Sequence, residues 1–150
     1  MKADREVINQ AVLEFSGVSC NEAFARGAAA AFAAAMDPTL EEISDIKTAV
    51  SEAVSNSIIH AYPGSLGKIY MTMTIYSGRL LEIMVRDCGI GIPNITKAME
   101  PMFSTGGEGR SGMGFTIMQR FMTELEVDSA PGSGTTVTMR RQLSSGDAGL

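Results

Sequence analysis

Residues 39–62 read TLEEISDIKTAVSEAVSNSIIHAY, and their spacing decides how the rest of the chain must be arranged. Leu40, Ile43, Ile46, Val50, Val54, Ile58 and Ala61 recur every three or four residues, the mark of a helix with one buried stripe. Thr39 precedes the stripe and Glu42 follows three residues later, a capping box that starts the helix. Tyr62-Pro63-Gly64 stops it, so the spacing predicts a helix over about 40–61. Burial does not explain Glu52 and Asn56, which stand one turn apart on another line of this helix, with His60 a further turn on. The pair is separated by ~6 Å along the axis, so both side chains can reach one ligand. Taken alone the pair also reads as a solvated polar face, and His60 as a surface residue.

Around this helix the order of elements is legible. Residues 6–16, EVINQAVLEFS, roughly alternate and predict a strand; 21–36, NEAFARGAAAAFAAAM, predict an Ala-rich helix broken at Asp37-Pro38. Two strand-like runs, KIYMTMTIY (68–76) and RLLEIMVRD (79–87), meet at a Ser77-Gly78 turn. Residues 88–112 hold six glycines and a short helical piece near 94–99. Helical spacing returns over 113–125, MGFTIMQRFMTEL, and a last hairpin over 126–141 turns at Pro131-Gly132. This order predicts an α+β two-layer sandwich, with helices on one face of a mostly antiparallel sheet. It fits a single domain over 1–143, with a loose tail at 144–150.

Composition narrows the function classes. With 45% hydrophobic and 19% charged residues, the 150-residue chain has the balance of a soluble globular protein. No apolar run reaches ~18 residues, and MKADREVINQ has no apolar stretch of the kind a signal peptide needs, so no membrane association is expected. A net charge of −5 without a Lys/Arg stripe argues against direct nucleic-acid binding. Cys20 and Cys88 are too few and too far apart for a zinc site or disulfide framework, which predicts free thiols in a reducing, cytoplasmic setting. Eleven Met and no Trp predict a sulfur-rich core.

Three stretches carry chemistry. The Asn56 amide oxygen is a hard ligand of the kind Mg²⁺ accepts beside phosphates and water, and Glu52 next to it can take a proton from a hydroxyl. In VRDCGIGIP (85–93), Asp87 closes a strand and can accept a hydrogen bond from an exocyclic amine such as adenine's, while Gly89 and Gly91 permit close backbone approach. STGGEGRSGMGF (104–115) is a glycine-rich loop running into a helix, where free N–H groups suit phosphate oxygens. Gly107-x-Gly109-x-x-Gly112 matches the dinucleotide fingerprint in letters alone, because no strand leads directly into it and no βαβ unit surrounds it. No Gly-Lys-Ser/Thr is present either. Together the three stretches outline a site for one ATP.

These motifs resemble the GHKL ATPase/kinase superfamily with its Bergerat fold: ExxxN on a helix, D-x-G-x-G, a glycine-rich loop closing on G-x-G, and GT in a late strand. Within it, DPTLEEISDIKTAVSEAVSNSIIHAY, RDCGIGIP, RSGMGFTIMQRFM and GTTV closely resemble the family of sporulation anti-sigma-F factors, which are serine protein kinases. The likeness covers roughly residues 10–143. The resemblance implies a cytoplasmic homodimer that keeps sigma-F from RNA polymerase core and, with ATP, phosphorylates a serine of an anti-anti-sigma factor. It implies that Asn56 ligates Mg²⁺, Glu52 is the general base and Asp87 binds adenine, with Gly89 and Gly91 at close approach. It further implies that Ser111, Gly112, Met113 and Gly114 line the triphosphate, that Thr135 supports the adenine pocket, and that Arg26 and Arg110 face protein partners. The chain departs from the pattern in its lid, Phe103 to Arg110, which is about one residue shorter and has Gly106-Gly107 where Lys-Pro is common. An alternative is a non-catalytic module that uses ATP only to gate sigma binding, although retention of Glu52 favours the kinase. A histidine-kinase ATP-binding domain is a third reading, disfavoured by the missing phosphoacceptor helix.

Overall fold

The computed structural model describes residues 3–61, 67–92 and 114–144. Strand β1 (Val7–Ser16) is followed by α1 (Asn21–Ala33), which tightens into a 3₁₀ turn at Ala34–Met36. Helix α2 (Leu40–Asn56) widens into a π-helical turn at Ser57–Ala61. Then come β2 (Lys68–Tyr76), β3 (Leu80–Asp87), α3 (Gly114–Phe121), β4 (Glu124–Ala130) and β5 (Gly134–Gln142). The sheet runs β1-β2-β3-β5-β4 with every neighbouring pair antiparallel, so the expected α+β sandwich is the fold observed.

Register explains where the core lies and where it stops. Since side chains alternate, each cross-strand row belongs to one face. Met73–Ile83–Met139–Leu125 and Met71–Val85–Val137–Val127 form two apolar rows that pack, with Ala25, Ala29, Ile46, Val50 and Val54 of the helices, into one core. The next row on that face, Ile69–Asp87–Thr135–Ser129, turns polar from β3 onward. At the other end the Ile75–Leu81–Arg141 row finishes on a cation, which Asp45 of α2 meets at 2.8 Å. Methionines 36, 71, 73, 118, 122 and 139 are buried, the sulfur-rich interior expected from composition.

The opposite face carries the Gln10–Thr74–Glu82–Arg140–Glu124 row. Arg140, 8% exposed, meets Glu82 at 2.8 Å, Glu124 at 3.1 Å and Glu126 at 2.8 Å. Burial pushes its guanidinium down from its ordinary value, but hydrogen bonds to the three carboxylates outweigh that and raise it.

The capping box forms as expected: Glu42 N donates to Thr39 Oγ1 at 3.0 Å, and Thr39 N donates to Glu42 Oε1 at 2.9 Å. The other carboxylate oxygen accepts from Ser144 N at 2.8 Å, tying the strand end beyond β5 to the start of α2. Burial pushes the Glu42 carboxyl up, but these hydrogen bonds and Arg141 more than offset it, leaving it below its ordinary value near 4.5. A depressed carboxylate contributes stability that is fully present above its unfolded value and lost as pH falls through its folded value. The expected outcome is that part of the acid loss of Tm below about pH 4.5 disappears in Glu42→Gln, which keeps the capping geometry, when melting is followed from pH 7 to 3.

Four expectations need correction. Leu40, counted in the buried stripe, is 90% exposed, because the first turn of α2 projects past the core. The helix expected over 113–125 ends at Phe121; Thr123 N donates to Arg140 O and Glu124 opens β4. The β2–β3 connection is a three-residue loop, Ser77 to Arg79, with Gly78 and Arg79 both at positive φ. The helix expected over 40–61 changes to a π turn after Asn56. The helical piece near 94–99, the Tyr62-Pro63-Gly64 stop and the tail beyond 144 lie outside the described residues.

Candidate functional site

The last turns of α2 present Glu52 and Asn56, both half-buried, where the first residue of α3 arrives. A Cβ on Gly114 would lie 3.3 Å from Glu52 Oε2 and 3.4 Å from both Asn56 Oδ1 and Nδ2. A carboxylate, an amide oxygen and the N-terminus of a helix thus meet at one point. The first N–H groups of α3 lack intrahelical partners, so this point can receive an anion, with Asn56 Oδ1 at hand for its counter-cation.

The π turn connects this point to the polar row of the sheet. Ser57 Oγ donates to Asp87 Oδ2 at 3.0 Å, and Ala61 O accepts from Ile90 N at 2.9 Å. Asp87, 3% exposed, also accepts from Gly89 N at 3.0 Å and Thr135 N at 3.2 Å, both on Oδ1. Three donors hold the carboxylate, and among the described residues Oδ2 has one partner, so lone-pair capacity remains for an amine. Thr135 is fixed in turn by a 2.8 Å hydroxyl contact with Ser129, whose Oγ accepts from Ile92 N at 2.7 Å.

Gly89 and Gly91 are required by the chain's own backbone. A Cβ at Gly89 would overlap the Ala61 carbonyl, and one at Gly91, where φ is +79°, would overlap the Ala130 carbonyl. The loop after β3 therefore threads between the π turn and the β4–β5 hairpin, as it can only if both positions lack a side chain.

Of the residues singled out in the sequence, Glu52, Asn56 and Gly114 come together, and Asp87, Gly89, Gly91 and Thr135 form a second group joined to the first through Ser57. His60 sits half-buried in the π turn. Arg26 reaches Glu22 at 3.2 Å and Ser51 Oγ at 3.3 Å, and Ser55 Oγ donates to Glu22 at 3.0 Å, so α1 is clamped to α2 beside both site side chains. Cys88 is an exposed thiol contacted by Arg86, which also stacks on Tyr70 with its guanidinium 4.3 Å from the ring centre. Ser111, Gly112, Met113, Arg110 and the lid from Phe103 lie outside the described residues. Sequence reasoning missed Ser57, Glu22, Ser51 and Ser55. Their one available signal was position: Ser51, Ser55 and Ser57 directly adjoin Glu52 or Asn56 in the sequence.

Comparison with known proteins gives concordant results. The histidine kinase-like ATPase domain family matches residues 21–141. An anti-sigma F factor of Thermoanaerobacter sp. (strain X514) is 55% identical over 141 residues, 93% of this chain and 98% of that relative. One from Bacillus licheniformis is 45% identical over 142 residues, 93% of this chain and 97% of that relative. Among solved structures, the RsbU and RsbW domains of a Mycobacterium tuberculosis protein superpose with a TM-score of 0.67 at 19% identity, over 90% of this chain and 32% of that one. The histidine kinase domain of the Erythrobacter litoralis EL346 blue-light activated kinase does so with a TM-score of 0.56 at 25% identity, over 81% of this chain and 60% of that one.

Proposed function

The chain belongs to the anti-sigma F factor family of the histidine kinase-like (GHKL) ATPases, and from that membership we propose a sporulation anti-sigma factor that is also a serine protein kinase. It holds sigma-F away from RNA polymerase and, with Mg-ATP, phosphorylates a serine of an anti-anti-sigma partner, acting as a homodimer in the cytoplasm. The observation that carries the kinase reading is the meeting of Glu52, Asn56 and the start of α3 around Gly114.

The residues present fit Mg-ATP. Asn56 Oδ1 would supply one hard oxygen for Mg²⁺, which when bound would neutralise phosphate charge. The start of α3 at Gly114 would receive phosphate oxygens, and the resemblance assigns Ser111, Gly112 and Met113, outside the described residues, to the same triphosphate. Asp87 Oδ2 accepts the adenine amine, oriented by Ser57, Gly89 and Thr135. When bound, Mg-ATP supplies the transferable phosphoryl group. Glu52 takes the proton that the acceptor serine loses as its oxygen bonds to phosphorus, while the bond to the ADP oxygen breaks. Phosphoryl transfer asks mainly for positioning and charge neutralisation, so this short set of side chains is sufficient.

The test is transfer of labelled γ-phosphate from Mg-ATP to the anti-anti-sigma protein, alongside capture of sigma-F. Label on a serine, abolished by chelating Mg²⁺, is the expected result. Tight ATP binding and sigma-F capture without any transfer would replace the kinase with an ATP-gated binder.

A further inference from the structure

The buried stripe of α2 runs through Ile46, Ala49, Val50, Ala53 and Val54, all fully buried, and its next position is a hydroxyl, Ser57, which is buried as well. Alanine would extend the stripe at the same spacing, whereas a buried hydroxyl costs free energy unless it finds a partner. The partner is the buried carboxylate of Asp87, whose Oδ2 accepts from Ser57 Oγ at 3.0 Å. A helical serine commonly turns its hydroxyl back to the carbonyl four residues earlier; this one is committed to the sheet instead. The helix widens at the same residue. The Ser57 N–H divides between Ala53 O and Val54 O, and the π turn begins there, pinned at its far end by Ala61 O accepting from Ile90 N at 2.9 Å.

The two oxygens of Asp87 are held differently. Oδ1 accepts from the main-chain N–H groups of Gly89 and Thr135, donors that no side-chain substitution removes. Each carboxylate oxygen offers two lone-pair sites, so Oδ1 is filled. Oδ2 has one partner among the described residues, the Ser57 hydroxyl, which therefore aims the site that stays open. The neighbouring hydroxyls carry no fixed polarity. Thr135 Oγ1 and Ser129 Oγ lie 2.8 Å apart and either can donate, with Gly134 O 3.0 Å from Ser129 Oγ to take the serine hydrogen. The sign of the readout thus rests on one oxygen, an acceptor that an amine satisfies and a carbonyl repels. We propose that Ser57 is the positioning residue for base selection: by holding Asp87 Oδ2, it makes the site choose purine nucleotides with a 6-amino group over those with a 6-keto group or a hydrogen there. The inference rests on the reading of Asp87 as the adenine acceptor. Ser57 acts through Asp87, to which its own hydrogen is already committed.

The test is calorimetric titration of the full chain with three Mg²⁺-bound triphosphates that differ at this edge of the purine: ATP, inosine triphosphate and purine riboside triphosphate. Wild type is expected to bind ATP about 10–100-fold more tightly than purine riboside triphosphate, the range for a hydrogen bond to a charged group. Inosine triphosphate is expected to bind no better than the latter. In Ser57→Ala the advantage of ATP over purine riboside triphosphate is expected to shrink about fivefold, with affinity for purine riboside triphosphate itself within about twofold of wild type. A purely structural role would weaken all three nucleotides together and leave that ratio alone, and such a result would overturn the proposal. Asp87→Asn supplies a second, independent reading. The two main-chain donors keep the amide oxygen at the Oδ1 position, so the NH₂ takes the Oδ2 position and Ser57 turns to accept. Inosine triphosphate is then expected to outbind ATP, an order that loss of structure cannot produce. If ATP stays ahead, Oδ2 does not set the polarity and the proposal fails. A wild type unable to tell ATP from purine riboside triphosphate would instead remove adenine from Asp87, and the role of Ser57 with it.

Discussion

Glu52→Gln is expected to lower phosphate transfer from Mg-ATP by about 10²–10⁴-fold, with nucleotide affinity little changed. The substitution keeps the shape and the hydrogen-bonding length of the side chain, so α2 and the contact with Gly114 are retained. What it removes is the group able to accept the serine proton. Asn56, the other site side chain on α2, is untouched, so the reading predicts a change in kcat and not in the ATP concentration for half-saturation. The measurement is kcat at saturating ATP and substrate for both proteins, with ATP affinity checked by calorimetry. A loss of less than about tenfold would mean that proton removal contributes little to this barrier, as a loose transition state permits. Glu52 would then be a positioning group, not a base.

A second large effect is expected at Asp87, and two substitutions separate its structural and ligand roles. In Asp87→Ala, the donors Ser57 Oγ, Gly89 N and Thr135 N lose their acceptor in a site that is 3% exposed. Each orphaned donor costs about 1–3 kcal/mol, which destabilises the whole domain. In Asp87→Asn the amide oxygen still accepts from Gly89 and Thr135, while the new NH₂ faces a Ser57 hydroxyl that can turn to accept. The fold is kept, but the acceptor for an exocyclic amine becomes a donor. Nucleotide affinity should fall by roughly 30–100-fold, the equivalent of about 2–3 kcal/mol for a lost charged hydrogen bond, with Tm shifted far less than in Asp87→Ala. Calorimetric titration with ATP and thermal melting of both variants check this. Unaltered affinity in Asp87→Asn would place the adenine elsewhere.

What was legible in the sequence was what local chemistry decides. The capping box at Thr39 and Glu42, the Pro-broken junction between α1 and α2, and the strand-forming runs of β2 and β3 are written in adjacent residues. Glu52, Asn56 and Asp87 stood out because each is a polar side chain where burial supplies no reason for one. Misreadings arose where long-range contacts override local spacing. Over 113–125 both periods are present, since Met118, Met122 and Leu125 suit a helix while Leu125 and Val127 suit a strand; pairing with β5 settles it by Phe121. The π turn is invisible for the same reason. Ile58 and Ala61 continue the helical stripe, yet the anchoring of Ser57 to Asp87 and of Ala61 to Ile90 admits the extra residue per turn. Leu40 fits the stripe in spacing alone, because a helix can outrun the surface it packs on.

The carboxylates around Arg140 bear on how the sheet can grow. Strand β4 lies at one edge and carries Glu124, Glu126 and Asp128 on its open face; one arginine answers to Glu124, Glu126 and Glu82 together. Two copies aligned along β4 would set acid against acid, which repels an added strand. The opposite edge, β1, is ten residues long and exposes Val7, Ile8 and Val12. Edge-to-edge joining is therefore directional. Two molecules that met through β1 would leave a ten-stranded sheet with an acidic β4 at each end, a dead end for further addition. Pairing through β1 would terminate itself before it could run on into a fibre.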